Sequence, residues 1–279
     1  MNKDFSYGIT GTLSDYESII TKYDSPDGNL DKYYSGKKLG DIWGYEVEGI
    51  AKSDAEMDAW LAKQSQSSLG TNWGGGDFMY RDLDHSGSVD NGGNSVTDHG
   101  DLKVIGNGTP RFAFGLTLDA KWKFIDIRAF FQGIGKRDVF FQGSATFFGI
   151  ASEWQRSLYT DHLDYFRYAG SELGANYENP YYARLRTDGN NRQVCDYYLQ
   201  NAAYVRLKNL QIGFSLPENT KLSRIFKKAR LYVSGENLFT ITGLRIYDPE
   251  AIGSSISEYG PGKTYPMYRV WSAGLELTF

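Results

Sequence analysis

The chain has 279 residues, with 34 acidic and 30 basic side chains, a formal net charge of −4 and a mean hydropathy of −0.48. This mildly acidic balance offers no electrostatic footprint for nucleic acid, and the single cysteine, Cys195, excludes an internal disulfide. No stretch contains the roughly 18 apolar residues that a spanning helix needs, so a helical membrane protein is excluded.

The first predicted strand starts close to the N-terminus. Apolar side chains alternate with small polar ones over FSYGITGTL, which places Phe5, Tyr7, Ile9, Gly11 and Leu13 on one face. The preceding residues contain no apolar segment or cleavage site. The sequence therefore predicts no secretory signal, and an outer-membrane protein would lack its beginning here.

Residues 14–109 form a long, polar, glycine-rich excursion, and its length indicates a function or disorder. Within it, residues 40–50 are predicted as a short strand. Ser53 and Glu56 have the spacing of a capping box, which predicts a helix from Asp54 to Gln64. Because Met57, Trp60 and Leu61 would share one face of that helix, we expect an ordered excursion.

The sharpest local motif is RDLDHSGSVD. Side-chain oxygens of Asp82, Asp84, Ser86 and Asp90, with the carbonyl of Ser88, occupy the alternate positions of a calcium loop. Gly87 stands where that loop turns sharply. Gly93 occupies the position of the usual bidentate carboxylate, so Asp98 or Asp101 would have to supply it. The alternative interpretation is a turn cluster without a metal.

A hairpin is predicted over residues 110–133. Its apolar face carries Phe112, Phe114, Leu116 and Leu118, followed by Ile125, Ile127, Ala129 and Phe131. Asp119, Asp126 and Arg128 point to the other side. Because a charge facing lipid at mid-membrane costs about 2–4 kcal/mol, these charges suit a wet lumen.

Residues 134–202 form a second polar excursion that is rich in aromatic side chains: Phe140, Phe141, Phe147, Phe148, Trp154, Tyr159, Tyr165, Tyr181 and Tyr182. Exposed rings would stack on sugars or grip peptides. Buried rings would give the long loop its own small core, which is the more frequent use. The sequence leaves both uses open.

A second hairpin is predicted over residues 203–241. Leu210, Ile212, Phe214 and Leu216 share a face, with Arg206 and Lys208 above them on that same face. A helical turn is predicted over 218–224. In the second strand, Asn237 falls on the apolar face unless a bulge at Gly235 re-aims it. Residues 243–264 form a third loop.

The last predicted strand ends at the C-terminus. Trp271, Ala273, Leu275, Leu277 and Phe279 fall on one side, and Ser272, Gly274, Glu276 and Thr278 fall on the other. The six predicted strands alternate between long and short connections, as in a barrel with long outside loops and short periplasmic turns. A sandwich would have more evenly short loops. The pattern favours an all-β fold, namely an antiparallel transmembrane β-barrel segment of about six strands of a larger barrel, with long extracellular loops.

Several motifs resemble a known family. The segments YLQNAAYVRLKNLQIGFSLP, LYVSGENLFTITGL, YDPE and the terminal strand resemble the C-terminal end of SusC/RagA-type TonB-dependent outer-membrane transporters. GDFMYRDLDHSGSVD, VIGNGTPRFAFGL and FIDIRAFFQGIG are similar to the family's preceding segments, in the same order. Residues 1–279 would thus be the C-terminal portion of such a receptor's barrel, with 14–109, 134–202 and 243–264 as extracellular loops.

The resemblance implies a transporter that imports glycans or peptides across the outer membrane of a Gram-negative bacterium. It also implies a SusD-like surface lipoprotein docked on the loops, and energy supplied by TonB through an N-terminal region. The plug, the TonB-contacting segment and the signal peptide have no counterpart in this sequence. The family's calcium-loop-like stretch corresponds to Asp82–Asp90, where His85 and Ser86 replace the more typical Gly and Asp.

Six strands leave two sheet edges whose backbone groups would be unsatisfied in lipid. We therefore expect the remaining strands of the same barrel, and outer-membrane lipid, as partners. The alternative is a soluble or surface carbohydrate-binding β-module stabilised by Ca²⁺. An enzyme is not expected, because His85, His99 and His162 lie in polar segments without a paired nucleophile.

Overall fold

The structure is a computed structural model that describes residues 4–150, 158–217, 220, 225–252 and 267–279. Within these residues the strands are β1 Phe5–Ser14, β2 Asp41–Gly44, β3 Val47–Ile50, β4 Phe78–Tyr80, β5 Lys103–Asn107, β6 Arg111–Trp122, β7 Ile125–Lys136, β8 Asp138–Val139, β9 Gln200–Asn201, β10 Tyr204–Ser215, β11 Lys228–Thr242 and β12 Val270–Thr278. The helices are α1 Asp54–Leu61 and α2 Ala145–Phe148, with 3₁₀ turns at Thr160–Asp164 and Asn190–Arg192.

The long strands form one six-stranded antiparallel sheet in the order β1-β6-β7-β10-β11-β12. Each strand pairs with the next long strand along the chain, so the sheet is a simple meander. The connection between β6 and β7 is two residues long, whereas the segments that follow β1, β7 and β11 are long and leave from the opposite end. The predicted alternation of long and short connections is present.

The register aligns the apolar side chains of all six strands on one face. Ile9 pairs with Leu118, and Ile212 pairs with both Ile127 and Val233. On the same face, Leu231 of β11 pairs with Leu275 of β12. These side chains are not covered by a second sheet: Ile9, Ile212 and Leu275 are 66%, 47% and 62% exposed. An exposed apolar surface of this extent is typical of a face that contacts hydrocarbon.

The opposite face is polar and carries ion pairs that cross the strands. Arg230 on β11 reaches over β10 to Asp126 on β7, with Nη2 2.6 Å from Oδ2, and also lies 3.3 Å from Glu276 on β12. Arg128 and Asp119 lie 3.6 Å apart on the same face. The charges predicted to face a lumen therefore do lie opposite the apolar surface.

Gly213 on β10 makes room for the bridge between Asp126 and Arg230. A Cβ at this position would lie 2.5 Å from Nη2 of Arg230 and 2.6 Å from Oδ1 of Asp126. We expect Gly213→Val to displace the ion pair and to lower the free energy of unfolding by about 1–3 kcal/mol, the usual cost of overpacking. Urea unfolding in liposomes measures this effect.

The control for that experiment is Gly11→Val on β1, where a Cβ would meet no atom within 4 Å. A branched side chain there suits the strand and fills open space. Equal destabilisation by both substitutions would show that the loss of glycine, and not the loss of the ion pair, is responsible.

Two paired bulges change the alternation near the end of the sheet that bears the long loops. The register between β10 and both of its neighbours shifts between Leu207 and Asn209, so that Asn237 and Leu238 on β11 oppose Lys208 alone. Asn237 has a φ of 51° and donates Nδ2 to the carbonyl of Tyr268 at 3.0 Å. A bulge does re-aim Asn237, although it lies after Gly235 and not at it.

The same bulge corrects the predicted position of Arg206 and Lys208. Beyond the register shift, Leu207 lies on the apolar face, and it pairs there with Phe131 and Phe239. Arg206 is thereby turned to the polar face. The prediction that Arg206 and Lys208 share the face of Leu210 was wrong because strict alternation does not hold through a bulge.

The other local predictions are confirmed in part. Helix α1 begins where expected, with the Ser53 hydroxyl accepting from the Glu56 amide at 3.2 Å, but it ends at Leu61. The single strand expected over 40–50 is two strands, because β2 pairs with β5 and β3 pairs with β4. Most of the turn predicted over 218–224 and residues 253–264 of the third loop lie outside the described residues.

No helix in the described part of the chain has both the length and the apolar character needed to cross a membrane.

Candidate functional site

The two long excursions share one aromatic core at the loop end of the sheet. Phe78 and Tyr80 of β4 pack with Phe147, Tyr182 and Tyr198 of the second excursion, and each of these side chains is at most 2% exposed. The rings meet in edge and tilted contacts, such as Phe78 to Tyr198 at 4.9 Å between centroids. Most aromatic residues of the second excursion therefore build a core, and among the described ones Tyr159 and Tyr168 are exposed, at 52% and 44%. Trp154 lies outside the described residues.

A buried carboxylate joins the two excursions. Asp77 is fully buried and accepts from Nε of Arg184 at 2.8 Å and from Nη1 of Arg186 at 2.7 Å. Asn191 donates Nδ2 to the same carboxylate at 2.8 Å, and its Oδ1 accepts from the Phe78 amide. Since these partners compensate the buried charge, the two long loops are fixed to each other.

The predicted calcium loop folds into a tight turn that brings three carboxylates together. Oxygens of Asp82, Asp84 and Asp101 lie within 4.8 Å of one another. Asp101 is fully buried, accepts from the amides of Leu83 at 2.5 Å and Asp90 at 2.8 Å, and forms no salt bridge within the described ranges. Burial raises the pKa of Asp101 even though these amides favour its charged form. A hard cation would compensate this group of negative charges.

Of the remaining predicted ligands, Asp90 is not part of this group of carboxylates, and Ser86 contacts it through its amide, which donates to Asp82 and Asp84. Ser86 donates its hydroxyl to the carbonyl of Ser88 at 3.0 Å. Oδ1 of Asp90 accepts from the Gly92 amide at 2.8 Å, so its carboxylate is turned to the loop backbone. Of the two candidates for the missing carboxylate, the structure brings Asp101 into the group and leaves Asp98 outside it.

A cavity of about 1050 Å³ lies above the loop ends of β1, β6 and β7. Segments 16–45, 91–102, 108–110, 137–142 and 193–194 contribute to its lining. Its lining includes Lys37, whose Nζ donates to the carbonyls of Leu30 and Lys32 at 2.7 Å and whose pKa is lowered by burial. Sequence reasoning did not identify this cavity, because its residues are distant along the chain and share no local motif.

The segment that follows β11 is attached to the polar face by buried charges. Arg206, with a 3% exposed side chain, donates Nη2 to Asp248 at 2.7 Å and Nη1 to Glu250 at 3.1 Å. Lys208 lies 2.9 Å from the same oxygen of Glu250. Asp248 also accepts from the Met267 amide at 3.1 Å, which connects the residues just before β12 to this cluster.

The described part of the chain offers little chemistry for covalent catalysis. Cys195 is fully buried, and burial raises the pKa of its thiol to about 12, so it is a poor nucleophile. His162 is 1% exposed, with Nδ1 accepting from the Tyr159 amide and Nε2 donating to the Phe147 carbonyl. Both of its ring nitrogens are therefore used in holding the loop.

The sequence is similar to two receptors of Formosa agariphila (strain DSM 15362 / KCTC 12365 / LMG 23005 / KMM 3901 / M-2Alg 35-1). It is 28% identical over 256 residues to TonB-dependent receptor P3, covering 88% of this chain and 22% of the relative. It is 24% identical over 200 residues to TonB-dependent receptor P26, covering 68% of this chain and 19% of the relative. The chain thus spans about a fifth of the length of these receptors. No model of a known protein family matches it.

Solved structures of the RagAB peptide transporter contain a part with the same fold. One matches with a TM-score of 0.64 at 20% identity, covering all of this chain and 28% of that chain. The "closed-closed" state of the RagAB peptide importer matches with a TM-score of 0.62 over the same shares. The fold class is confirmed as a segment of an antiparallel transmembrane β-barrel with long loops. The resemblance to the C-terminal part of a SusC/RagA-type TonB-dependent transporter is confirmed as well.

Proposed function

We propose that this chain forms the C-terminal barrel segment of a TonB-linked outer-membrane transporter that imports glycans or peptides into a Gram-negative bacterium. The supporting observation is the sheet itself, which exposes a continuous apolar face and carries its charges on the other face. In this proposal residues 14–109, 134–202 and 243–264 are extracellular loops. The named activity of the similar receptors and of RagAB supports a role in transport and not in catalysis.

The proposed partners follow from the open edges of the sheet and from the family resemblance. β1 and β12 each pair on one side only within the described sheet, so further strands of the same barrel would satisfy their outer backbone groups. A SusD-like lipoprotein would dock on the long loops, and TonB would act through a region outside these residues. A soluble carbohydrate-binding module is the less favoured alternative, because it would leave side chains such as Ile9 and Leu275 in water.

Energy-dependent uptake tests this function. Cells that carry the protein are given fluorescent oligosaccharides or peptides, with and without TonB. We expect accumulation in the periplasm only when both the protein and TonB are present. Uptake that is independent of TonB, or recovery of the protein from the soluble fraction without detergent, would contradict the proposal.

We further propose that Asp82, Asp84 and Asp101 bind a structural Ca²⁺, with the Ser86 hydroxyl, the Ser88 carbonyl and Asp90 nearby. The support is the buried Asp101 carboxylate, which lies beside two more carboxylates without a salt bridge among the described residues. The ion would hold the loop between β4 and β5, and it would supply no catalytic step.

Calcium should therefore stabilise the protein against heat. At a concentration of 100 times the dissociation constant, we expect about 2.7 kcal/mol of stabilisation, measured as a rise in Tm over the EDTA-treated protein. Asp101→Asn and Asp84→Asn should abolish the rise, and Asp84→Asn keeps an acceptor for the Ser86 amide. Asp98→Asn is the control. An unchanged Tm in wild type, or equal losses in all three variants, would overturn the calcium site.

A further inference from the structure

Exposed tyrosine rings provide the accessible aromatic surface of the large cavity. Tyr16 and Tyr33 line it and are 61% and 55% exposed. Leu30, Val139 and Phe140 also line it, but each is at most 7% exposed because it packs within the chain. Leu39 also lines the cavity and is 40% exposed, so the two tyrosine rings are the most exposed large apolar side chains of the lining.

The backbone around Tyr16 is fixed on both sides. Arg111, the first residue of β6, donates Nη2 to Asp15 at 2.6 Å and Nη1 to Glu17 at 3.0 Å. The amide of Phe112 donates to the same Asp15 at 3.3 Å. Because both neighbours of Tyr16 are held by one guanidinium, its ring would lose little conformational freedom on binding a ligand.

Tyr33 is held in a comparable way. Its ring meets Tyr23 edge to face at 5.8 Å between centroids. The next residue, Tyr34, is 7% exposed and accepts from Nε1 of Trp43 at 3.2 Å. The exposed Tyr33 ring is therefore next in sequence to a buried residue that fixes the backbone.

Polar groups with unused hydrogen-bonding capacity lie beside the rings. Asn94 donates Nδ2 to Oδ2 of Asp31 at 2.7 Å, and both residues line the cavity. Within the described ranges, no hydrogen bond uses Oδ1 of Asp31 or Oδ1 of Asn94. Lys37 has two carbonyl partners for its three N–H groups. Acceptors and a donor are thus available for hydroxyl groups.

The cavity has no dominant charge. Its lining includes Asp31, Asp41 and Asp138 together with Lys37 and Arg137. A site for a polyanion or a polycation would present an excess of the opposite sign. This mixture suits a ligand that is polar but uncharged.

From these observations we infer that the cavity binds an uncharged oligosaccharide, with Tyr16 and Tyr33 stacking on sugar rings and Asp31, Asn94 and Lys37 bonding to hydroxyl groups. This inference rests on the proposed function and names the substrate class within it. Its volume of about 1050 Å³ is at the upper end of ligand sites, which leaves room for several sugar units.

Binding is tested with the whole protein, purified from outer membranes in detergent. The probes are neutral oligosaccharides from partial hydrolysis of starch, laminarin, xylan, mannan and cellulose, and a tryptic digest of casein, each titrated by calorimetry. We expect binding of a neutral oligosaccharide. Tyr16→Ala and Tyr33→Ala should each weaken it about tenfold, since each removes a large exposed ring surface.

Tyr159→Ala is the matched control. Tyr159 is also an exposed tyrosine of a long loop, 52% accessible, but it does not line the cavity. Its removal should leave affinity unchanged. Tyr16→Phe and Tyr33→Phe keep the ring faces and should retain most of the affinity, which separates stacking from loss of folding.

The possible outcomes separate this inference from the function on which it rests. Binding of casein peptides and of no oligosaccharide overturns the substrate class while leaving transport intact. Oligosaccharide binding that is unaffected by Tyr16→Ala and Tyr33→Ala overturns the cavity as the site. If uptake proves independent of TonB while oligosaccharide binding needs both rings, the transport proposal fails and the site stands.

Discussion

Leu116→Arg should lower the free energy of unfolding in lipid bilayers by about 2–4 kcal/mol, whereas Thr117→Arg should change it little. The two residues are neighbours in the middle of β6, at the same depth in the sheet. Leu116 pairs with Phe131 on the apolar face, and Thr117 pairs with Thr10 on the polar face. A cation that faces hydrocarbon at the midplane incurs this cost, while a cation in a wet lumen does not.

The two variants control for the size of the arginine side chain and for its effect on strand formation. Both substitutions place the same long cation in the same strand, so strain within the strand affects them similarly. The measurement is urea unfolding of the protein refolded into liposomes, followed by tryptophan fluorescence. Equal destabilisation by the two substitutions, or greater loss with Thr117→Arg, would contradict the assignment of the two faces.

Arg206→Met should cost about 3–5 kcal/mol, because it leaves buried carboxylates without their cation. The side chains of Asp248 and Glu250 are each 10% exposed, and Lys208 remains beside Glu250 alone. Methionine keeps much of the volume of arginine, so the expected loss is mainly electrostatic. Arg128→Met is the control: Arg128 is 63% exposed and should cost at most about 1 kcal/mol.

The deficit of Arg206→Met should also depend on pH. Burial alone would raise the pKa of Asp248, but the Glu250 amide, Arg206 and the Met267 amide hold it below its ordinary value of 3.8. The stabilisation from a lowered carboxylate pKa is present above the unfolded-state value and is lost as pH falls below it. The difference between variant and wild type should therefore be largest at neutral pH and shrink below about pH 4. A deficit that stays constant from pH 7 to pH 3 would indicate a packing effect instead.

The faces of the sheet could be predicted from the sequence because a strand has a strict period of two. Leu275 and Ile9 were assigned to the apolar face from spacing alone, and the register places them there. The same rule failed for Arg206, since one extra residue at Lys208 inverts every side chain beyond it. The signal available beforehand was Asn237 on an apolar face, which indicated a bulge without locating its partner.

The loops were less predictable because their contacts are distant along the chain. The N-cap of α1 at Ser53 and the turn at Asp82 are local, and both are present. The choice of Asp101 over Asp98 depends on backbone pairing with Asp90, which no short motif encodes. Tyr16 and Tyr33 meet in one cavity only because a guanidinium on β6 and a buried tyrosine fix the two segments that carry them.

The most direct test of the membrane-facing sheet is a nitroxide scan of β6 in liposomes. Single cysteines from residue 114 to residue 119, in a Cys195→Ser background, are labelled and their relaxation by oxygen and by a water-soluble nickel complex is compared. We predict that labels at Phe114, Leu116 and Leu118 respond to oxygen, and that labels at Gly115, Thr117 and Asp119 respond to nickel. Uniform response to nickel along all six positions would contradict a sheet with one face in hydrocarbon.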